Sequence, residues 1–283
     1  PKIYHSFLIP SFSIKVINAN LIYNLIIPHP KGHQEQVIHN LLQGTTYDLR
    51  CRKYGAIIIC MELFHTLNRG VDKRKIFLDN QDYFRFIHDL FEFNDKDWVN
   101  TTFYYFHKSN DIASRKIERK QRKLLVDIHA FCLMPNHYHL LLTPRIENGI
   151  STFMKKLNMG YAKYFNEKYK RSGALFEGRY KSVGVREEAH FIHLPYYIHC
   201  NPLDLVTPEW RENKLRNYQK AVNFLESYRW SSHSDYLGKD NFPSVTKRNF
   251  LLEVFGGMNG YKKSIYRWLK DLSTEDISKI TLE

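Results

Sequence analysis

The sequence is short of cysteine, of acidic charge and of long apolar runs. Its four cysteines, Cys51, Cys60, Cys132 and Cys200, are scattered, with no C-x-x-C spacing. That argues against a zinc ribbon and a disulfide framework, and predicts reduced thiols in a cytoplasmic protein. No stretch reaches the ~18 consecutive apolar residues of a membrane span. The apolar runs Leu21 to Pro28 and Ala56 to Cys60 are shorter and lack a signal-peptide layout. Internal repeats and low-complexity tracts are also missing.

Acidic residues number 29 against 42 Lys and Arg, which leaves a formal net charge of +13 and a pI near 9.4. A surplus of that size favours a polyanionic partner, because each Lys or Arg placed on a phosphate releases counterions. Hydrophobic residues make up 43% of the chain, so a core can form. The 19 Tyr and 19 Phe supply that core and also rings on which unstacked bases can lie.

The chain divides into three parts. It begins at Pro1, and Met61 is its first methionine. Residues 1–60, without a clear period, are expected to be a poorly integrated extension. Residues 61–212 carry a regular pattern, and 213–283 read as a helical basic extension. Within the middle part, Leu63, His65 and Leu67 alternate with Phe64, Thr66 and Asn68, a strand signal ended by Asn68-Arg69-Gly70. Asp79 or Asn80 can cap a helix over 81–93, with Phe84, Ile87, Leu90 and Phe91 on one face. A basic stretch holds Arg115, Lys116, Arg119, Lys120, Arg122 and Lys123. Strands at 126–134 and 137–143 flank the turn Pro135-Asn136 as a hairpin. Ser151 can cap a long helix to about Lys170, with Phe153, Met154, Leu157, Tyr161, Tyr164 and Phe165 at helical spacing. A short strand at 181–185 and a helix at 187–200 follow. The order strand, helix, strand, strand, helix, strand predicts an α+β, ferredoxin-like (RRM-like) antiparallel sheet with helices on one face.

His137 and His139 are two apart on a predicted strand, so both imidazoles point to one face, a workable clamp for a metal. Asp127 and His129 share a strand face in the same way and read as a hydrogen-bonded pair. Tyr197 and Asn201 are four apart and share a helical face, which brings a nucleophile and an oxygen ligand to one place. Pro202 puts Asn201 in the last turn of that helix. Tyr196 lies about 100° round the helix and should face inward. Tyr161 and Tyr164 read as core, and His199 as a histidine on the helix surface.

Two motifs together carry a resemblance: Met134-Pro135-Asn136-His137-Tyr138-His139-Leu140-Leu141-Leu142 and Tyr197-Ile198-His199-Cys200-Asn201-Pro202. They resemble the single-tyrosine HUH transposases of the IS200-like superfamily, in particular the branch of REP-associated tyrosine transposases (RAYT). Phe64-His65-Thr66-Leu67-Asn68-Arg69-Gly70 and Gly173 through Lys181 match as well, so the resemblance runs from about Met61 to Pro202. Two features depart from the family pattern. Pro195 sits two residues before Tyr197, where the helix would have to restart, and Leu203-Asp204-Leu205 follows Pro202.

The resemblance implies a single-stranded DNA endonuclease and strand transferase that acts on DNA hairpins, REP-like or at transposon ends. Tyr197 would attack DNA and form a 5′-phosphotyrosine. His137, His139 and Asn201 would hold a divalent metal, Mg or Mn, a mixed N/O donor set with open positions rather than a closed zinc site. Arg69, Arg179 and Lys181 from the matched motifs are candidates for phosphate contacts, and Arg115, Lys116 and Arg119 for gripping a hairpin. His65 would orient the histidine pair from behind. The expected setting is a bacterial cytoplasm, associated with the nucleoid and away from membranes, as monomer or homodimer. The other reading is a non-catalytic single-stranded nucleic-acid-binding module, or a decayed, inactive transposase. RNA-recognition domains of this sheet type carry aromatic motifs on the central strands; here the corresponding strand carries His137 and His139.

Overall fold

The computed structural model describes residues 62–97, 122–185, 188–212 and 214–270, and the backbone of three strands before them. Those three, β1 (Ser13–Ile17), β2 (Ile22–Ile26) and β3 (Ile57–Cys60), form an antiparallel sheet in the order β1-β2-β3. The two apolar runs of the first sixty residues thus coincide with β2 and β3. Arg115, Lys116 and Arg119 lie outside the described residues.

The main sheet has four strands: β4 (Phe64–Arg69), β5 (Val126–Met134), β6 (His137–Pro144) and β7 (Lys181–Gly184). Their order is β5-β6-β4-β7, with every neighbouring pair antiparallel. It follows that β4 runs parallel to β5 and β6 to β7, each pair separated by one strand of the other. Two interleaved β-α-β units give this order, as the alternation of elements in the sequence predicts. Helix α1 (Asn80–Glu92) joins β4 to β5, and α2 (Gly149–Lys168) joins β6 to β7.

Asp79 caps α1 through a reciprocal capping box with Asp82. The buried face of α1 is Tyr83, Phe86, Ile87 and Leu90, whereas Phe84, expected on that face, is exposed at 43%. Phe84 instead meets Trp230 edge-on and carries the Arg229 guanidinium. Helix α2 starts two residues before Ser151. Its cap is Asn148 in the left-handed region, and Ser151 Oγ donates back to the Asn148 carbonyl. Tyr161 is buried and donates to the Ile76 carbonyl; Tyr164 is only partly covered. Arg122, read as part of a basic DNA-facing stretch, is tied to the carbonyls of Phe91 and Asn94 and lies over the Phe91 ring.

A β-bulge decides which side chains of β5 face which layer. Ile128 pairs with Leu142 and Ala130 with Leu141, so His129 is the extra residue. Ile128, Phe131 and Leu133 therefore join Tyr138, Leu140 and Leu142 under α1 and α2. Ala130, Cys132 and Met134 point to the other face with Leu63 and Leu141. That second face carries α3 (Glu188–Cys200) and, after it, α4 (Tyr218–Ser227), α5 (His233–Tyr236), α6 (Asn249–Val254) and α7 (Gly257–Lys270). The sheet is thus covered on both sides: α1 and α2 lie on one, as expected, and the later helices fill the other. Residues 214–270, read as an extension, supply Leu225, Tyr236, Tyr261, Ile265 and Leu269 to the same core as Tyr196 and Ile198.

The same segment closes the sheet edge. Every residue of β5 is buried although it is an outer strand. Leu133 N–H donates to the Trp230 carbonyl, Ser232 N–H to the Phe131 carbonyl and Lys247 N–H to the Ile128 carbonyl. An edge paired in this way presents no open row of donors and acceptors. Every strand of this sheet and every helix on it begins after Met61. A chain beginning at Met61 is therefore expected to be soluble and to show the wild-type circular dichroism of its helices; insoluble expression would show that residues 1–60 are structural.

Candidate active site

The site lies where β6, β4 and α3 meet. Register sets its sheet side: Arg69 is opposite His137, Leu67 opposite His139, and His65 opposite Leu141. Directly paired residues share a face, so His65, His137 and His139 all stand on the side covered by α3. His65 Nε2 and His139 Nδ1 are 2.9 Å apart, a hydrogen bond between stacked rings. His137 lies at 4.9 Å from His139 between ring centroids, nearly perpendicular, and its Nδ1 bonds Asn136 Oδ1 at 2.6 Å. Each ring of the pair is thus oriented through Nδ1 by a neighbour, the arrangement that fixes an imidazole as a ligand.

Helix α3 brings Tyr197 onto this cluster. Its ring centroid is 5.9 Å from His139 and 6.1 Å from His65, edge to face in both cases. α3 is continuous from Glu188 to Cys200 with Pro195 inside it, so the expected restart is not seen. Asn201 opens the 3₁₀ turn Asn201–Leu205 directly after α3, and its Nδ2 donates to the Tyr197 carbonyl at 2.9 Å. Tyr196, as expected, turns away from the histidines. It packs on Phe255 and Trp268, and burial raises its phenol above the usual range.

Arg211, which the sequence reading missed, completes the cluster. It comes from a second 3₁₀ turn, Pro208–Glu212. Its Nη1 donates to Tyr197 Oη at 2.9 Å and its Nη2 to Asn201 Oδ1 at 2.9 Å. Asp204 grips the same guanidinium through both oxygens, Nε to Oδ1 at 2.9 Å and Nη2 to Oδ2 at 2.7 Å. Burial opposes the Arg211 charge, but the bonds to Asp204 and Tyr197 outweigh it and raise the pKa. Trp210 packs on the Tyr197 ring and donates its indole N–H to Asp204 at 2.6 Å. Lone Arg and Asp residues in an irregular segment have no period or spacing that marks them; only the fold brings them to Tyr197.

The basic candidates Arg69, Arg179 and Lys181 gather at one end of the sheet. Glu177 N–H donates to the Arg69 carbonyl and Asn68 Nδ2 to the Gly178 carbonyl, which folds the 176–181 segment onto β4. Arg179 and Lys181 are exposed, and Lys181 pairs with Leu67, in line with His139.

Two other expectations are corrected. His199 is fully buried, not on the surface. Its Nδ1 bonds Tyr261 Oη at 2.6 Å and its Nε2 bonds Ser232 Oγ at 2.7 Å, because the C-terminal helices cover that side of α3. Burial, with His233 nearby, pulls its pKa well below 6.5. Asp127 and His129 do not bond each other, since the bulge separates them. Asp127 meets Arg145 and Lys247, while His129 bonds Thr143 Oγ1 at 2.8 Å and the Lys247 carbonyl. Burial lowers His129 to about 4.

A divalent metal fits the histidine pair by donor chemistry and by the orientation of its rings. Asn201 is turned instead to Arg211, and no group of three or more His, Cys, Asp or Glu among the described residues is arranged to hold a metal. Residues 104–201 match the family described as "Transposase IS200 like". The chain resembles the IS200-like transposases. The IS200-like segment contains His137, His139, Tyr197 and Asn201, and ends before Arg211. A solved structure titled "Structure of the REP associates tyrosine transposase bound to a REP hairpin" is similar at 13% identity and a TM-score of 0.38, covering 65% of this chain and 84% of that one. No curated protein matches the chain. Among the described residues, no helix is long and apolar enough to cross a membrane.

Proposed function

We propose that this chain nicks and rejoins single-stranded DNA at hairpins, as a transposase of the IS200-like kind, in the bacterial cytoplasm at the nucleoid. The observation that carries the reading is Tyr197 of the IS200-like segment seated on His139 of the same segment and on His65. The Tyr197 oxygen forms a bond to phosphorus as the bond to the 3′ oxygen breaks. The phenolic proton goes to solvent, and the leaving 3′ oxygen takes up a proton. The resulting 5′-phosphotyrosine keeps the bond for rejoining, where water would lose it. His137 and His139 would hold Mg or Mn, with Asn201 joining once it leaves Arg211. That ion supplies charge neutralisation at the phosphate. Arg69, Arg179 and Lys181 bind flanking phosphates, and Arg115, Lys116 and Arg119 grip the hairpin stem. His65 orients His139 through their hydrogen bond.

The binding-module reading has one observation in its favour: Tyr197 and Asn201 are both taken by Arg211. The two readings separate in one assay. Wild-type protein, hairpin DNA with single-stranded flanks, and Mg or Mn are expected to give a protein–DNA band that survives boiling in detergent. A bound but never covalent complex under either metal would favour the binding module.

A further inference from the structure

We propose that Arg211 holds the phosphate that Tyr197 attacks, with Asp204 keeping its guanidinium aimed at Tyr197. The inference rests on the DNA-cleaving reading and adds a substrate contact from outside the IS200-like segment.

An attacking oxygen and its target atom approach to roughly 3–3.5 Å before bond formation. Arg211 Nη1 lies 2.9 Å from Tyr197 Oη. A phosphorus at that distance from Tyr197 Oη on the Nη1 side brings its oxygens within reach of Arg211. Access agrees with this. The Arg211 side chain is 25% exposed, whereas Tyr197 is fully buried, so a group coming from solvent on that side meets the guanidinium first.

The chemistry agrees too. Asp204 holds Arg211 with two parallel bonds, the fork geometry that fits carboxylate and phosphate alike. That Nε–Nη2 edge faces away from Nη1, so Asp204 holds the guanidinium with Nη1 turned to Tyr197, where the attacked phosphate would lie. Asp204 is itself retained by Trp210 Nε1, which keeps that aim fixed in the turn.

The test measures binding of a fluorescent DNA hairpin with a single-stranded flank across a salt series. It uses the full chain with Tyr197→Phe, in magnesium, so that the DNA stays whole. Arg211→Gln keeps a hydrogen-bonding side chain and removes the charge. It is expected to flatten the slope of log affinity against log salt by about 0.7, one single-strand phosphate contact. Arg211→Lys should restore the slope. Asp204→Asn, which keeps the shape and the Trp210 bond and removes only the carboxylate charge, should tighten binding several-fold at low salt. An unchanged slope in Arg211→Gln overturns the proposal and leaves Arg211 a structural tie. Should Arg211→Gln fail to fold, Asp204→Asn decides: unchanged or weaker binding overturns it. If the chain without these two changes does not bind hairpin DNA, the cleavage reading falls and this proposal with it; steep salt dependence with no response at Arg211 sinks the proposal alone.

Discussion

Tyr197→Phe is expected to abolish the covalent protein–DNA adduct while leaving DNA binding nearly intact. The substitution keeps a ring that packs against His65, His139 and Trp210, and removes only the atom proposed to attack. Removal of a catalytic nucleophile costs a large factor, here at least about 10³ in cutting rate. Stability should change little, by about 1 kcal/mol, since the lost hydroxyl leaves one Arg211 N–H to find another acceptor. Tyr196→Phe is the control on the same helix. Its ring sits among Phe255, Tyr261 and Trp268, away from the histidines, so adduct formation should persist. His137→Ala should also stop cutting, with slight recovery in excess manganese that Tyr197→Phe cannot show. An adduct that survives Tyr197→Phe and disappears in Tyr196→Phe or Tyr161→Phe would reject the assignment.

Acid is expected to unfold this protein above the range where carboxylates titrate. Burial lowers His129 and His233 from an ordinary value of 6.5 to about 4 each. Their folded pKa lies below the unfolded one, so the unfolded chain binds more protons between those values. Stability is then full above pH 6.5 and falls as pH drops towards 4. Each such histidine contributes up to about 1.4 kcal/mol per pH unit, so the pair removes several kcal/mol, a large share of a typical 5–15 kcal/mol. Urea midpoints at pH 7.5, 6.0 and 5.0 read this directly. His129→Gln should flatten the dependence, since a neutral amide can still bond Thr143 Oγ1. Stability that stays level from pH 6.5 to 5 would show that both sites open to water and protonate in the folded state.

What the sequence made legible was local. The strand at 64–69, the turn at Pro135-Asn136 and the helix around Phe153, Met154 and Leu157 all reappear as elements, the last with those three residues on its buried face. The i, i+2 rule put His137 and His139 on one face, and the i, i+4 rule put Tyr197 beside Asn201. What failed depended on contacts far along the chain. His199 looked exposed because α3 alone has no reason to bury it; Tyr261 and Ser232, more than thirty residues away, cover it. Asp127 and His129 looked paired because a single extra residue in a strand has no marker in composition, yet it changes which face follows. Arg211 and Asp204 were missed for the same reason: an ion pair between two irregular turns has no period to read.

The long-range closure of β5 also has a consequence in time. During synthesis the four strands and α3 are complete in sequence once Cys200 is made. The chain that pairs the edge of β5 and fills the second face comes from the following stretch, roughly 70 residues to Lys270. At ~5–20 residues per second that interval lasts roughly 4–14 s. Through it the nascent chain carries a sheet face covered by α3 alone, with Cys132, Met134 and Leu141 upon it, beside an unpaired strand edge. Two half-made copies on one messenger present matching edges to each other, so slow translation beyond Cys200 favours their mutual pairing over completion of either fold.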